Sequence, residues 1–221
     1  MILGLDTTGR DLKLGLICKG EVRSRLFSND LRHSRQILPQ LLQFLREEGE
    51  SLKSIQALAF SQGPGSFTGL RIAVGVIQGL AYGLSLPVIP VPTMAIVARA
   101  AGQQAQVARV LVTMHAREEE LYGAFYDGCD GLVPRLIGQA EVYTTAMLTN
   151  HDLASWSLAG DGVFLIKALS PQTQGVIDIT SPDVHNLLQI AEAMLAAGEV
   201  VSALEAAPLY VRETVAQKSR P

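Results

Sequence analysis

Cysteine is nearly absent from this sequence, and its scarcity already limits the class of protein. The two cysteines, Cys18 and Cys129, lie far apart, and neither belongs to a CxxC pair. This argues against a disulfide-rich scaffold and a cysteine-based zinc site, and a reducing compartment such as the cytoplasm is expected. Asp6 interrupts the first apolar run, MILGLDTTG, before a signal-peptide core could form, so we do not expect export by that route.

An excess of positive charge is also lacking. The sequence has 18 Lys and Arg against 21 Asp and Glu, a formal net charge of -3 at pH 7. Proteins that bind nucleic acid alone usually present a basic face. The densest group of arginines is interleaved with acids, as on a solvated surface: Arg23, Arg25, Arg32 and Arg35 beside Glu21 and Asp30. Contact with a nucleic acid is therefore expected to need the charge of a partner.

Motifs for metal binding and catalysis are missing as well. None of the four histidines, His33, His115, His151 and His185, stands three or four residues from another, so the sequence has no HExxH or HxxxH pair. It also has no GxSxG nucleophile elbow. We expect neither a metal site nor a catalytic residue in this chain.

One run without charged residues, 72–98, is longer than the roughly 20 residues that a transmembrane helix needs. Pro87, Pro90 and Pro92 interrupt this run, and its glycines lower the hydrophobicity further. A buried helix followed by a buried strand explains the run better, so we expect no contact with a membrane.

The sequence does contain a repeated order of α/β elements. Hydrophobic residues make up 48% of it, enough for a substantial core. Apolar periodicity predicts strands at 2–8, 12–19, 21–29, 57–61, 88–91, 109–114, 120–126, 132–142, 157–160 and 176–179. The predicted helices are 34–48, 67–84, 93–101, a short one from 145, and 182–197 with Ser181 as N-cap. A meander followed by alternating helices and strands, occurring twice, indicates two duplicated α/β lobes, 1–106 and 107–221, with a cleft between them.

The stretch QGPGSFTGLR, residues 62–71, lies between a predicted strand and a predicted helix. It is not a Walker A motif, because no lysine follows its last glycine. A glycine-rich turn at a helix N-terminus can bind an anion, and the acid and hydroxyls of LDTTG at 5–9 can contact metal-bound phosphate. Simple turns explain both stretches too, and isolated signals of this kind favour that interpretation. The possible vestigial nucleotide or anion site comprises Asp6, Thr7, Thr8, Gly63, Gly65, Ser66, Thr68 and Gly69.

Glycine recurs every four residues in the predicted helix 67–84, at Gly75, Gly79 and Gly83. Each glycine inside a helix costs up to about 1 kcal/mol relative to alanine. Close approach of another backbone would explain the bare stripe. That second body is either the protein's own sheet or a helix of another subunit, and the sequence leaves both open.

Several stretches together resemble one protein family: ILGLDTTGRDLKLGL, RHSRQILPQL, ALAFSQGPGSFTGLRIAVGVIQGLAYGL, PVIPVPTM and PLYVR. They are similar to TsaB, formerly YeaZ, of the bacterial tRNA threonylcarbamoyladenosine pathway. The resemblance spans nearly the whole chain, and the glycine loop with its helix is the most specific part. It implies an α/β, actin-like ATPase fold of the actin, sugar kinase and Hsp70 class, with a shortened second lobe and a C-terminal tail that can return to the first lobe.

The same resemblance implies a scaffold role. Proteins of this family pair with TsaD, which carries metal and nucleotide, and with the ATPase TsaE. The assembly transfers a threonylcarbamoyl group from its adenylate to adenosine 37, next to the anticodon, in tRNAs that read codons starting with A. ATP and metal are then expected on the partner subunits and tRNA only in the complex, while a homodimer is an option for the chain alone.

In the family the first two long helices form the dimer contact. The resemblance therefore implies an interface of Ile37, Leu38, Leu41, Leu42, Leu45, Arg71, Val74, Gly75, Gln78, Gly79, Tyr82 and Gly83. This sequence has His115 in HAREEELY where members of the family often have Asp. Any function that the aspartate serves in the family is therefore in doubt for this chain. An autonomous ATP-dependent phosphotransferase using Asp6 and the glycine turns stays an alternative, whereas the lack of a zinc or nucleophile constellation argues against a glycoprotease.

Overall fold

The structure is a computed structural model that describes residues 1–28 and 36–211. It contains two five-stranded mixed sheets with helices on their faces. The first sheet comprises β1 (Ile2–Asp6), β2 (Leu12–Cys18), β3 (Glu21–Phe27), β4 (Ala57–Ser61) and β5 (Val88–Val91). The second comprises β6 (Val110–Arg117), β7 (Glu120–Asp127), β8 (Arg135–Thr144), β9 (Ser157–Ala159) and β10 (Gly175–Val176). The helices are α1 (Ile37–Glu47), α2 (Phe67–Leu84), α3 (Thr93–Ala105), α4 (Thr145–Leu148) and α5 (Val184–Ala196).

The two sheets have the same topology. The first has the order β3-β2-β1-β4-β5, and the second, written in the matching direction, has β8-β7-β6-β9-β10. In each, the central strand pairs antiparallel with the following hairpin strand and parallel with the strand that comes after the next helix. The duplicated arrangement predicted from the order of apolar segments is therefore present.

Both faces of the first sheet are covered by helices. Leu3 and Leu5 of β1 point into one core cluster with α1 and α2, whereas Ile2 belongs to another cluster with α5. On the α5 side, a Cβ at Gly4 or Gly15 would come within 2.8 or 2.7 Å of the Leu188 side chain. The two glycines thus leave the flat surface that Leu188 needs.

Two helices pack on the sheet of the predicted lobe to which they do not belong in sequence. α3 precedes residue 106, yet it packs into the core of the second sheet, with Val97 and Ala101 beside Val110 and Val112. α5 comes late in the chain, yet it packs on the first sheet. The segment after α5 continues along the first sheet, where Val201 bridges Val88 of β5. Each sheet is therefore covered in part by a helix from the other half of the sequence.

Several predicted boundaries need correction. Asp183, not Ser181, is the N-cap of α5, because its carboxylate Oδ1 accepts a hydrogen bond from the Asn186 backbone N–H at 2.8 Å. α3 extends to Ala105, four residues beyond its predicted end at 101. β8 starts at Arg135 and ends at Thr144, later than predicted. The predicted start of the first helix, at 34, lies outside the described residues.

Within the described residues, α2 is the one helix long and apolar enough, by length and composition alone, to cross a membrane, with a mean hydropathy of 1.3. Core helices of globular proteins meet the same criteria. α2 connects the parallel strands β4 and β5 and buries Ala73 and Ile77 in the core on this sheet, as expected for a crossover helix.

Candidate partner interface

One side of α2 is in solvent along its whole length. Ser66 caps the helix, because its hydroxyl oxygen accepts a hydrogen bond from the Gly69 backbone N–H at 3.2 Å. Ser85 ends it in the left-handed conformation, with a φ of 54°. The exposed residues follow helical spacing: Phe67, Thr68, Arg71, Gly75, Gly79, Tyr82 and Gly83. We call the part of this stripe formed by Arg71, Gly75, Gly79, Tyr82 and Gly83 the α2 face.

The α2 face is bare because its centre consists of glycines. A Cβ built at Gly75, Gly79 or Gly83 would meet none of the described residues within 4 Å, outside the helix's own neighbouring backbone. The sequence left open whether these glycines contact the protein's own sheet or another subunit. The structure shows that they do not contact the first sheet. Helices can approach one another closely where glycines replace side chains.

The predicted contribution of α1 to this surface needs correction. Ile37, Leu41 and Leu45 are at most 3% exposed and pack into the core against the first sheet. Their apolar stripe signalled burial in the chain's own core, which has the same periodicity as an interface. Leu38 and Leu42, also predicted, are exposed by 43% and 37%. The exposed apolar surface of α1 is therefore the Leu38 and Leu42 side.

Three predicted interface residues on α2 are used partly or wholly inside the chain. Val74 is 8% exposed and belongs to the core, so it too is removed from the predicted surface. The side-chain amide of Gln78 donates to the Ala206 carbonyl at 2.9 Å. The guanidinium carbon of Arg71 lies 3.7 Å from the Phe67 ring centroid, and Arg71 Nε donates to the Tyr210 hydroxyl at 3.3 Å. Residues 206–210 are thereby attached to α2.

Sequence reasoning expected that the C-terminal tail can return to the first lobe, but it named no interface residue in the segment that follows α5. Leu204 is 84% exposed at the tip of a turn, in which Glu205 accepts a hydrogen bond from the Ser202 backbone N–H at 2.9 Å. Leu204 and Tyr82, which is 77% exposed, both line an open cavity of about 800 Å³ beside the C-terminal end of α2. An apolar residue in a loop carries no periodicity, so no sequence signal pointed to it.

The first hairpin and the glycine loop are packed directly on each other. The Thr7 hydroxyl donates to the Gly69 carbonyl at 2.9 Å, and the Ser66 backbone N–H donates to the Thr8 carbonyl at 2.8 Å. A Cβ at Gly69 would lie 2.1 Å from the Thr7 carbonyl oxygen, and one at Gly65 would lie 2.6 Å from Thr8 Cβ. The glycines therefore serve a close contact between two segments of this chain.

Polar groups at the possible anion site are bonded within the chain. The Asp6 carboxylate accepts hydrogen bonds from the Thr8 N–H and hydroxyl and forms an ion pair with Lys13 Nζ at 3.2 Å. The Gly63 N–H donates to the Thr93 hydroxyl at 3.0 Å. Thr68, at the exposed start of α2, is not part of these bonds. This arrangement is what the simple-turn interpretation requires, and the anion site stays a prediction.

The corresponding turn of the second sheet is held in a similar way. The His115 backbone N–H donates to Asp161 Oδ1 at 2.9 Å, which joins the β6–β7 hairpin to the turn that follows β9. Arg117 and Glu120 are register partners across the hairpin. No group of three His, Cys, Asp or Glu residues that could hold a metal ion occurs in the described ranges, 1–28 and 36–211. His33 lies outside those ranges.

Comparison with known proteins identifies the family. The family model of TsaD, tRNA N6-adenosine threonylcarbamoyltransferase, matches residues 29–218. The tRNA threonylcarbamoyladenosine biosynthesis protein TsaB of Escherichia coli is 32% identical over 228 residues, which span 100% of this chain and 98% of that protein. TsaB of Haemophilus influenzae is 30% identical and is covered to 97%.

Solved structures agree with the sequence relatives. YeaZ from Pseudomonas aeruginosa superposes with a TM-score of 0.84 at 33% identity, over 95% of this chain and 98% of that one. An inorganic polyphosphate/ATP-glucomannokinase from Arthrobacter reaches a TM-score of 0.50 at 12% identity, which is a likeness of fold alone. The predicted α/β fold of the actin and sugar kinase class is confirmed. The chain therefore belongs to the TsaB (YeaZ) family of tRNA threonylcarbamoyladenosine biosynthesis proteins.

Proposed function

We propose that this chain is a noncatalytic scaffold subunit of the complex that makes threonylcarbamoyladenosine in tRNA. In this proposal it binds and activates a TsaD-type partner, which transfers the threonylcarbamoyl group from threonylcarbamoyl-AMP to N6 of adenosine 37 in tRNAs reading ANN codons. TsaE joins the same complex in the cytoplasm. ATP and metal belong to the partners, and tRNA contacts this chain only within the complex.

The observation that carries the proposal is the α2 face. Its glycines lie in the middle turns of the helix beside the exposed side chain of Tyr82, and the described chain leaves this face uncovered. Three helical glycines together cost on the order of 2–3 kcal/mol relative to alanine. A partner helix in contact with the bare backbone would offset that cost. Since the TsaD family model matches this chain, TsaD has a related fold and could present equivalent helices.

Mixing the purified chain with purified TsaD and following complex formation by size-exclusion chromatography and calorimetry tests the proposal. We expect a complex with the parent chain and a loss of at least tenfold in affinity with Gly79→Leu, which places a large side chain on the α2 face. The variant should keep the circular dichroism of the parent, because nothing described lies within 4 Å of its Cβ.

Gly9→Leu is the matched control. Gly9 also has open space around a built Cβ, but it lies in the first hairpin turn, outside the α2 face. This variant should bind TsaD like the parent. Absence of a complex with the parent chain, or equal binding by Gly79→Leu, would refute the proposal. Calorimetric binding of magnesium ATP by the isolated chain at micromolar concentration would instead support the phosphotransferase alternative.

A further inference from the structure

A cluster of four rings on the second sheet plays no part in the α2 face. Phe125 of β7 lies at its centre, stacked on His151 with a centroid distance of 5.2 Å and edge-on to Trp156 at 4.9 Å. Tyr143 of β8 meets Phe125 edge-on at 6.4 Å and His151 edge-on at 5.7 Å. The four rings come from two strands and the segment after α4, so the fold brings them together.

An irregularity of β8 opens a cavity beside these rings. Gly123 of β7 pairs with Glu141, but Phe125, two residues later, pairs with Ile137, so residues 138–140 bulge out of the ladder. Gly138 adopts a φ of 74° there, a conformation that favours glycine. The resulting cavity measures about 430 Å³. Bulges of this kind often occur where a sheet forms a binding site.

The charges at this cavity are negative. Glu141 and Asp152 line it, and none of the described residues that line it is Lys or Arg. Glu141 accepts a hydrogen bond from Gln139 Nε2 at 2.8 Å, and Asp152 accepts one from the Ala154 N–H at 3.1 Å. Because an ionised carboxylate offers about four acceptor positions, both keep capacity for another donor.

Two neighbouring groups bear on what the cavity can hold. Burial, and secondarily the charge of Glu141 and a hydrogen bond with it, raises the pKa of Tyr143. The Arg109 guanidinium, hydrogen-bonded to Ser155, lies 5.6 Å from the Trp156 ring centroid without lining the cavity. Trp156 thus already attracts one guanidinium from within the chain. The two carboxylates would repel an anion at this cavity. A planar cation could stack on the aromatic rings and donate hydrogen bonds to the carboxylates.

We propose that this cavity binds the guanidinium of an arginine side chain presented by a partner protein, which stacks on the ring cluster and donates to Glu141 and Asp152. The guanidinium is planar, carries five donors and is weakly hydrated, so it suits an aromatic wall with carboxylates at its rim. The site lies on the outer part of the second sheet and does not depend on the α2 face or on TsaD binding.

Trp156 makes the proposal directly measurable, because it is the single tryptophan of the chain. The full chain is titrated with the capped tripeptide acetyl-Gly-Arg-Gly-amide, and the fluorescence of Trp156 is recorded at constant ionic strength. The control peptide carries citrulline in place of arginine, which keeps the shape and removes the charge. A saturable fluorescence change is expected with the arginine peptide, with at least tenfold weaker binding of the citrulline peptide.

Glu141→Gln removes one rim charge with little change in volume and should weaken binding of the arginine peptide by roughly three- to tenfold. Glu119→Gln makes the same change at an exposed position of the neighbouring hairpin turn and should leave binding unchanged. Equal responses to both peptides, no response to either, or no effect of Glu141→Gln would overturn the proposal. A response to adenosine but not to the arginine peptide would also overturn it, in favour of a nucleobase site.

Discussion

Glycine has opposite roles at two positions of α2. A Cβ at Gly69 would lie 2.1 Å from the Thr7 carbonyl oxygen, whereas one at Gly75 would meet nothing described within 4 Å. We expect Gly69→Ala to lower the free energy of unfolding by about 1–3 kcal/mol through the clash with backbone. Gly75→Ala should raise it by up to about 1 kcal/mol through helix propensity. Urea unfolding of both variants measures this, and a similar sign for the two would contradict it.

The sequence predicted the spacing of these glycines but not which of them face the protein. A four-residue repeat defines one side of a helix equally well for a buried and an exposed contact. The same ambiguity led to the misplacement of Ile37, Leu41 and Leu45, whose stripe faces the core. Which side of a helix meets solvent is decided by the sheet on which it packs, and that contact joins residues far apart in the sequence.

Cys129 makes stability depend on alkaline pH. Burial raises the pKa of its thiol to about 12, whereas a thiol in the unfolded chain has a pKa of about 8.5. Its neutral form therefore stabilises the fold below pH 8.5, and this contribution is lost as the pH rises from about 8.5 towards 12, because the unfolded state then binds fewer protons. When the pH is raised from 8 to 10, the free energy of unfolding of the parent should fall by about 1–2 kcal/mol more than that of Cys129→Ala. Urea unfolding at the two pH values measures this difference. Equal losses would show that Cys129 does not carry the effect.

At the scale of elements, the N-terminus of α5 tests a corrected prediction. The Asp183 carboxylate accepts from both the backbone N–H and the side-chain Nδ2 of Asn186, each at 2.8 Å, whereas Ser181 is exposed two residues earlier. We expect Asp183→Ala to cost about 1 kcal/mol of unfolding free energy, the usual value of an N-cap. Ser181→Ala should cost almost nothing. Thermal or urea unfolding decides between them, and the reverse order would restore Ser181 as the cap.

Elements with strong periodicity or clear turn signals could be predicted closely. β4, α2 and β5 match their predicted ranges, because a buried strand, a glycine loop and a long helix each leave a distinct pattern. The ring cluster around Phe125 could not be predicted. Its members stand on β7, on β8 and in a loop, and they meet because of a bulge that apolar patterning does not encode.

At the scale of the whole molecule, Arg99 joins the two sheets. This α3 side chain is 3% exposed, and it donates to the Leu132 carbonyl at 2.8 Å and to Gln189 and Asn186 of α5. Burial lowers its pKa, an effect opposed by the Asp183 charge. The side chain thus connects the helix on the second sheet to the helix on the first.

We expect Arg99→Ala to lower the free energy of unfolding by about 3 kcal/mol, because it leaves the buried amide oxygen of Asn186 without the donation from Arg99. Arg135→Ala is the comparison. Arg135 pairs with Asp127 at 3.1 Å, but its side chain is 74% exposed, so the loss should stay below about 0.5 kcal/mol. Urea unfolding followed by both Trp156 fluorescence and circular dichroism provides the test, and comparable losses in the two variants would contradict it.

The exchange of α3 and α5 also has a consequence for biosynthesis. While the ribosome is still making the second half, the face of the first sheet that Gly4 and Gly15 leave flat has no cover, since α5 begins only at Val184. The first half therefore waits, with an apolar sheet face in water, until nearly the whole chain has emerged. A translation product interrupted before α5 would be a natural substrate for chaperones and proteases, so incomplete copies would be removed before they could occupy a partner.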